Sequence, residues 1–562
     1  MRRGLAPRTG TSPTALAVLA LAVSLLGACD RPRFDVRPNV VLITVDTLRA
    51  DRLGSYGYAD ARTPHMDRLA REGVRFGSAS TVIPRTSQSI ASIMTGLYPH
   101  EHGSLEIGTG PDDGVLLASQ LFSDAGYATA GVSANGAASR TQGLERGFDH
   151  FVGWRELGRR HTLWGDPPPR GGGPYVGRAE AVTREAVAWI EQERDEPFFL
   201  WLLYFDPHFF YNPPPPYRDV IDWSGFDYYR EVQKYDPKNA TIYFDLNGRA
   251  SELLPQVTRL YDAEVTYTDA VLGAFLDLLA ERRASGADPR PTLIVLTADH
   301  GESLGEHAYY YEHGDFVWET TMRVPLILHA PGVIPEGLEL DFPTTTLDVL
   351  PTVLGLIDLP APEGVRFSGR DLSGAIFDGA SAPLENRVIF GESGSALIPQ
   401  NPHRLIGGTL TSRKVKRYLR DGRWLALRHR DTGFALYDAE ADPYLRDDIA
   451  AREPEVAGRM RELLDRVSVF GSRWRTARDS RWKLVRIPGL TRSHELLFDL
   501  AADPGETRDV SDTHPGERER LSAALDAWLA TIPSDAGGVR TETDPERARE
   551  LEEQLRSLGY VD

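Results

Sequence analysis

Three apolar segments of the sequence each end in acidic or imidazole side chains. These side chains are Asp46, Asp206, His208, Asp299 and His300. Because open α/β sheets bind ligands beyond the carboxyl ends of their strands, we expect these groups to share one edge of a sheet. Carboxylates and imidazoles gathered there are unfavourable unless solvent or a bound group compensates them, and a divalent metal does so. The pattern therefore predicts a metal site.

A hydroxyl residue, Thr86, stands at the start of a segment with a helical pattern. The predicted helix ends before Gly96, a residue type that commonly terminates helices. Because helix N-termini attract anions, an anionic ester would bind beside the Thr86 hydroxyl. A metal touching that oxygen would lower its pKa and make it a nucleophile. The alternative, in which Thr86 only caps the helix, stays open.

Five continuous apolar runs are predicted to be the buried strands that position these groups. They are Asn39–Val45, Ala128–Ser133, Phe198–Phe205, Thr292–Thr297 and Val324–His329. Helical patterns lie between them, most clearly at 257–280. Alternating strands and helices predict an α/β fold with a doubly wound, mostly parallel sheet.

A second region, from about residue 385 to 535, contains an internal duplication. The segment 436–443, LYDAEADP, is similar to the segment 497–504, LFDLAADP. A basic-aromatic segment precedes each copy. We expect two hairpin-and-helix units in a smaller C-terminal α+β domain, although shared turn chemistry around Asp-Pro explains the likeness nearly as well. The tail, 540–562, is predicted to be a charged helix.

The charge of the chain limits its possible partners. Its 562 residues carry a formal net charge of −18. This charge argues against nucleic-acid binding, because phosphate backbones are bound by basic surfaces. An anionic substrate would therefore need a local positive site, which a metal ion supplies.

The N-terminus has the pattern of an exported lipoprotein. Basic residues precede an apolar stretch, Ala15–Ala28, that is short for a membrane span. It ends in Leu26-Gly27-Ala28-Cys29, which resembles a bacterial lipobox. We therefore expect residues 1–28 to be a signal peptide and Cys29, the single cysteine, to be lipidated. The mature protein would then be anchored by lipid to the membrane of a bacterial cell envelope, in the periplasm or outside the cell.

Several motifs resemble the sulfatase family of the alkaline phosphatase superfamily. They are Asn39–Asp51, Thr95-Gly96-Leu97-Tyr98-Pro99, Phe205-Asp206-Pro207-His208, Thr297–His307 and Arg323-Val324-Pro325-Leu326. The resemblance covers residues 38–375 and implies a metal-dependent catalytic domain that cleaves esters. It also implies a small-molecule, glycan or lipid substrate that carries a sulfate or phosphate ester.

The sequence departs from the family pattern at the nucleophile. Typical sulfatases have Cys or Ser, then any residue, Pro, any residue and Arg, and they convert the first residue to formylglycine. Thr86 stands at that first position, with Gln88 and Ile90 in place of Pro and Arg. Formylglycine is therefore not expected. The pattern resembles threonine-nucleophile phosphoethanolamine and phosphoglycerol transferases, which, unlike this sequence, show membrane-spanning segments.

The resemblance to those transferases implies a single metal site. Its ligands would be Asp46, Asp299, His300 and the Thr86 oxygen. Three oxygens and one nitrogen suit zinc or manganese better than calcium, the usual metal of sulfatases.

Catalytic roles follow from the same comparison. Thr86 would attack sulfur or phosphorus, and His208 or His313 would stabilise the transferred group or protonate the leaving oxygen. Arg85 would add positive charge, and the alternative, in which it is only a solvated basic residue, stays open. Water can open a phosphothreonine, whereas formylglycine releases sulfate through a second hydroxyl that threonine lacks. This chemistry favours phosphate esters, while the overall resemblance favours sulfate esters. The alternatives are a phosphodiester or phospho-group transferase, a sulfatase that acts without formylglycine, and an inactive binding lipoprotein with the same fold.

Overall fold

The computed structural model describes residues 34–163, 175–192, 194–221, 249–378, 382–394, 415–421, 423–429, 433–438, 441, 447–466, 473–487 and 493–532. The predicted signal peptide, Cys29 and the predicted tail helix at 540–562 lie outside these residues. Among the helices described, none is long and apolar enough to cross a membrane.

Strands and helices alternate along the first two thirds of the chain. The strands are β1 Asn39–Val45, β2 Val74–Phe76, β3 Ala79–Ser80, β4 Ala128–Ser133, β5 His150–Val152, β6 Thr162–Leu163, β7 Tyr175–Val176, β8 Phe198–Tyr204, β9 Thr292–Ala298, β10 Ser303–Leu304, β11 Tyr310–Glu312, β12 Leu326–His329, β13 Leu338–Leu340, β14 Thr344–Thr345, β15 Ile389–Glu392, β16 Val415–Asp421, β17 Trp424–His429, β18 Gly433–Asp438, β19 Arg475–Arg478, β20 Trp482–Ile487 and β21 His494–Asp499. The helices are α1 Pro64–Arg71, α2 Thr86–Thr95, α3 Pro99–His102, α4 Ala118–Asp124, α5 Trp154–Arg160, α6 Arg178–Ile190, α7 Arg249–Ala284, α8 Glu319–Met322, α9 Val349–Leu356, α10 Ser373–Asp378, α11 Ala382–Glu385, α12 Pro454–Arg466 and α13 Pro515–Leu529.

Eight strands form the central sheet in the order β13-β2-β12-β9-β1-β8-β4-β5. The strands from β9 to β5 are parallel to one another. Every residue of β1 and of β8 is buried, which explains why their sequences are continuously apolar rather than alternating. The doubly wound, mostly parallel α/β fold is thus confirmed.

The run Val324–His329 differs from its prediction in direction. Its strand, β12, starts only at Leu326 and lies antiparallel to β9. The connection from β9 to β12 contains the β10–β11 hairpin and two short helical segments rather than a long crossover helix. A parallel return needs such a crossover, so this connection produces an antiparallel neighbour.

The C-terminal region contains two units with matching hydrogen bonds. In the first unit the Leu436 amide donates to Asp448 Oδ1 at 3.0 Å. In the second unit the Leu497 amide donates to Asp509 Oδ1, also at 3.0 Å. Each unit is an antiparallel hairpin followed by a helix, β17–β18 with α12 and β20–β21 with α13. The likeness between the segments therefore extends beyond turn chemistry to a shared unit.

The two units also bury their strands in the same way. Tyr437 and Phe498, at matching positions, pack into the large core of the protein. Their neighbours Leu436 and Leu497 point to the opposite face and pack into small cores beneath α12 and α13. This alternation is the two-residue period of a strand that is covered on both faces. Together the units form the smaller α+β region beside the main sheet.

Candidate metal and nucleophile site

The candidate site lies where β1 and β9 end side by side. Asp46 directly follows β1, and Asp299 and His300 directly follow β9, its parallel neighbour. One possible ligand atom from each of the three side chains lies within 4.8 Å of the other two. All three side chains are fully buried. The structure therefore brings together the three side chains that were predicted to hold a metal with Thr86.

The two carboxylates of this cluster are poorly compensated by the protein. Asp46 Oδ1 and Asp299 Oδ2 are buried and have no hydrogen-bond partner. Burial, reinforced by the neighbouring Asp299, raises the pKa of Asp46 well above its usual range. Burial also raises the pKa of Asp299 from 3.8 to about 7. Buried carboxylates of this kind are strongly unfavourable unless a cation neutralises them, so the residues present fit a divalent metal.

Hydrogen bonds hold the other oxygen of each carboxylate. Asn135 Nδ2 donates to Asp46 Oδ2. The backbone amides of Thr47 and His300 donate to Asp299 Oδ1 at 3.3 and 2.9 Å. Because one oxygen of each carboxylate is occupied, Asp46 Oδ1 and Asp299 Oδ2 are the oxygens oriented to bind a metal.

His300 presents one nitrogen to the same point. Its Nδ1 donates to the Gly301 carbonyl at 3.0 Å, so Nε2 carries the lone pair in the neutral ring. Nε2 lies 3.3 Å from Asp299 Oδ2 and 3.3 Å from Thr86 Oγ1. Burial lowers the pKa of His300 to about 3, which favours the neutral form that binds metals. The same atom therefore connects the carboxylates to the candidate nucleophile.

Thr86 is the first residue of α2 rather than its cap. Arg85 has the extended backbone of an N-cap, with φ −143° and ψ 128°, and its carbonyl accepts the first helical hydrogen bond, from Ser89, at 2.8 Å. Gly96 ends the helix as predicted, with φ +68°. The interpretation of Thr86 as a cap is therefore wrong by one position, and its side chain is directed to His300 instead.

Arg85 is enclosed beside Thr86 by two glycines and two carboxylates. A Cβ atom on Gly314 would lie 1.9 Å from Arg85 Nε, and one on Gly394 would lie 2.1 Å from Arg85 Cγ. The guanidinium lies 3.6 Å from Glu312 Oε1 and 3.4 Å from Asp315 Oδ1. The positive charge predicted for the site is present, but it is shared with two carboxylates.

His313 and His208 both lie next to the metal-ligand cluster. The ring centroid of His313 is 4.1 Å from that of His300 and 5.3 Å from that of His208. His313 Nδ1 lies 2.7 Å from Glu302 Oε1, which fixes the ring. His208 Nδ1 lies 2.5 Å from the Phe209 carbonyl. His313 thus lies between His300 and His208, and both residues predicted as proton donors are neighbours of the metal-ligand cluster.

Asp206 has a different place from the other acidic residues. Its Oδ2 accepts a hydrogen bond at 2.9 Å from the amide of Ala179, in the first turn of α6. The three-residue ligand cluster does not include it. A carboxylate at a strand end often caps a neighbouring helix, and the spacing of residues could not separate this role from metal binding.

Two residues of the site were not predicted from the sequence. Asn135, which orients Asp46, follows β4. Glu302, which orients His313, lies in the Asp-His-Gly-Glu motif and was not given a role. Both act through hydrogen bonds between elements distant in sequence, which only the fold brings together.

Comparison with known proteins decides the family. The sulfatase family model matches residues 38–359. The chain belongs to the sulfatase family. This family consists of generally metal-dependent ester hydrolases, and the chain is a sulfatase-family hydrolase.

Its sulfatase relatives and structural neighbours act on different esters. The chain is 27% identical over 474 residues to an ulvan-active sulfatase of Formosa agariphila, an alignment that covers 80% of this chain and 86% of the relative. It is 25% identical to an N-acetylglucosamine-6-O-sulfatase of Bacteroides thetaiotaomicron, with 63% and 74% covered. Its fold resembles a phosphonate monoester hydrolase from Silicibacter pomeroyi, with a TM-score of 0.60, 21% identity, and 89% and 97% covered. The structural match shows a shared fold and does not determine the substrate.

Proposed function

We propose that this sulfatase-family hydrolase cleaves a sulfate or phosphate ester through a covalent intermediate on Thr86. The observation that carries the proposal is the 3.3 Å distance between Thr86 Oγ1 and His300 Nε2, inside the cluster that His300 forms with Asp46 and Asp299. A buried hydroxyl in contact with a metal-ligand cluster has the placement of an activated nucleophile.

One divalent metal, zinc or manganese in preference to calcium, fits the mixed carboxylate and imidazole ligands. When bound, it would supply the positive charge that lowers the pKa of the Thr86 hydroxyl and polarises the ester. Asp46, Asp299 and His300 would hold it, with the Thr86 oxygen as the fourth ligand.

The residues around Thr86 divide the remaining tasks. Thr86 Oγ1 attacks the sulfur or phosphorus while the amides at the start of α2 face the anionic oxygens. His313, held by Glu302, or His208 donates a proton to the leaving oxygen. Water then attacks the ester on Thr86, one of its protons returns to the Thr86 oxygen, and the product leaves. The product is inorganic sulfate or phosphate from a monoester and a phosphate monoester from a diester. If an acceptor alcohol replaced that water, the same intermediate would serve a transferase.

The relatives suggest the type of substrate. Ulvan and N-acetylglucosamine 6-sulfate, named for two relatives, are sulfated glycans or their units. We propose a sulfated glycan or a related phosphate ester as the substrate. The plain threonine favours phosphate, because its ester is opened by attack at phosphorus.

Trapping the intermediate tests this proposal. Purified protein without the signal peptide would be mixed with 4-nitrophenyl esters of sulfate, phosphate and methyl phosphate, then quenched and digested. We expect a sulfuryl or phosphoryl group on the peptide that contains Thr86, and none in Thr86→Ala. Turnover of an ester by Thr86→Ala at the wild-type rate would overturn the mechanism.

We also propose that Cys29 is lipidated and anchors the protein at the bacterial cell envelope, in the periplasm or outside the cell. The supporting observation is the basic-apolar-lipobox order of the first 29 residues. Because one acyl chain anchors a protein only marginally, we expect at least two on the mature N-terminus. Mass spectrometry of membrane-extracted protein would show them, whereas an unmodified Cys29 would contradict the proposal.

A further inference from the structure

We infer that the site selects ester groups that carry one negative charge, such as sulfate monoesters and phosphate diesters, over the dianion of a phosphate monoester. The inference rests on the proposed function because it concerns the substrate of the same site. It is carried by the balance of charged side chains around Thr86, irrespective of whether sulfur or phosphorus is attacked.

A bound metal leaves little positive charge for the substrate. Asp46 and Asp299 are the two carboxylates of the metal-ligand cluster, and together they balance a divalent ion. His300 contributes a neutral nitrogen. The metal and its three side-chain ligands therefore carry no net charge, although the metal still attracts the nearest oxygens of an ester.

The cation beside Thr86 is already compensated. Arg85 lies between Glu312 and Asp315, at 3.6 and 3.4 Å, so one cation faces two carboxylates. Glu312 and Asp315 are themselves 7% and 3% exposed, and solvent therefore screens them weakly. Gly314 and Gly394 enclose the Arg85 side chain and keep the guanidinium in place.

The next nearest charges do not reverse this balance. The Arg49 guanidinium donates to the Glu302 carbonyl at 3.0 Å, but it is paired with Asp51 at 2.7 Å and Glu306 at 2.8 Å. Six carboxylates, Asp46, Asp299, Glu312, Asp315, Asp51 and Glu306, thus face a divalent metal and two guanidinium groups, Arg85 and Arg49.

This charge balance should weaken the binding of a substrate that carries a second negative charge. A sulfate monoester or phosphate diester brings one negative charge, which the metal and the amides at the start of α2 can stabilise. The extra charge of a phosphate monoester would be added next to Arg85, whose charge Glu312 and Asp315 already share. Because like charges repel strongly in a buried site, this second charge lowers affinity.

A matched pair of non-hydrolysable ligands tests the inference by binding alone. Benzenesulfonate and phenylphosphonate have nearly the same shape, but well above its second pKa phenylphosphonate carries one more negative charge. Calorimetry on the metal-loaded enzyme would measure both. We expect benzenesulfonate to bind roughly tenfold more tightly. Equal or tighter binding of phenylphosphonate, or no binding of either ligand at millimolar concentration, would overturn the inference.

Charge-removing variants then locate the cause. Asp315→Asn should reduce the preference for benzenesulfonate by roughly tenfold, because Arg85 would be shared with one carboxylate fewer. Glu312→Gln is a second variant with the same expected effect. The control is Glu339→Gln, which removes an exposed carboxylate paired with Arg75 on the edge strand β13 and should leave the preference unchanged. An unchanged preference in folded Asp315→Asn and Glu312→Gln would contradict the assigned cause.

The two proposals fail in different ways. If Thr86→Ala turned over esters at the wild-type rate, the covalent mechanism would fall while the binding preference could still be measured. If Thr86→Ala were inactive but wild-type protein bound phenylphosphonate more tightly, only the charge selection would fall.

Discussion

Asn135 Nδ2 donates a hydrogen bond to Asp46 Oδ2, and the other oxygen of that carboxylate is buried without a hydrogen-bond partner. The amide is itself fixed, because Asn135 Oδ1 accepts from the Ala137 amide at 2.7 Å. One side chain from the end of β4 therefore determines which oxygen of Asp46 faces His300 and Asp299. Side chains that orient a metal ligand in this way usually affect metal affinity.

We therefore expect Asn135→Ala to weaken metal binding by roughly 10- to 100-fold. Competition with a chelator of known affinity would measure this change. Asn39→Ala is the matched control, because Asn39 is an equally buried amide at the opposite end of β1 and donates to Asp288 at 2.9 Å. It should lower stability and leave metal affinity unchanged. Equal metal affinity in both variants would contradict the role of Asn135.

A second prediction concerns Thr86, whose substitution should affect the catalytic rate and the folding stability to different degrees. Since Thr86 is the first helical residue rather than the N-cap, Thr86→Ala should change the melting temperature little. Its rate should fall by several orders of magnitude because the nucleophile is lost. Thr86→Ser keeps the hydroxyl and should retain part of the activity. A large loss of stability with near-normal turnover would show that the hydroxyl is structural.

The metal-free protein should lose stability as the pH rises. Burial raises the pKa of Asp299 from 3.8 to about 7, so the folded state retains a proton that the unfolded state releases. Stability from this group is complete below 3.8 and is lost as the pH rises through about 7. Asp299→Asn should flatten this part of the melting-temperature profile and also lower metal content sharply.

Added metal provides the complementary measurement for Asp299. A metal binds the ionised carboxylates, so its stabilising effect on the wild type should grow as the pH rises toward neutrality. The same titration on Asp299→Asn should show a much smaller effect. If metal raised the melting temperature of both proteins equally at every pH, Asp299 would not be a ligand.

The sequence predicted the strands and the ligands more completely than their surroundings. β1, β4, β8 and β9 are continuous apolar runs, and the groups that follow such strands must meet at one edge of the sheet. Asp46, Asp299 and His300 were therefore predictable. The direction of β12 could not be predicted, because it depends on the connection from β9. The β10–β11 hairpin in that connection is too short to show a clear apolar pattern in the sequence.

The missed parts of the site depend on contacts between distant elements. Asp206 has the same local pattern as Asp46, and only the position of α6 shows that it accepts from Ala179. The pairing of Glu302 with His313 likewise depends on how the chain returns after β11. Local sequence patterns indicate which residues are buried and whether a segment is a helix or a strand. Hydrogen bonds between distant elements depend on tertiary packing, which local patterns do not show.

The second C-terminal unit, β20–β21 with α13, should stabilise the catalytic domain through a buried lysine. Lys483, which is 1% exposed, lies 3.0 Å from Glu319 Oε1 and 2.8 Å from Glu506 Oε1. Lys483→Met would leave the buried Glu506 without its cation and Glu319 with only Arg478, at 3.3 Å. It should lower the free energy of unfolding by about 3–5 kcal/mol, measured in urea. Adding Glu506→Gln should recover part of the loss. The control Arg481→Met removes an arginine that is 57% exposed from its pair with Asp499 and should have a smaller effect.

Arg85 is expected to act by holding the segment that carries His313. Its guanidinium contacts Glu312 and Asp315, the residues on either side of the His313–Gly314 pair. If this is its role, Arg85→Met displaces His313 and lowers kcat by part of the roughly 10²- to 10⁴-fold loss expected for His313→Ala. In a His313→Ala background, Arg85→Met should then lower kcat no further.

A double-mutant cycle on a substrate with a poor leaving group distinguishes the two possible roles of Arg85. The four proteins are the wild type, Arg85→Met, His313→Ala and the double variant, each with its metal content measured. Losses that multiply would show that Arg85 contacts the substrate independently of His313. Gly394→Ala supplies a control from the other side of the arginine, because its Cβ would lie 2.1 Å from Arg85 Cγ. Gly394→Ala keeps the positive charge of Arg85 but should displace its side chain. If Arg85 acts by positioning His313, this variant should lower kcat as much as Arg85→Met does.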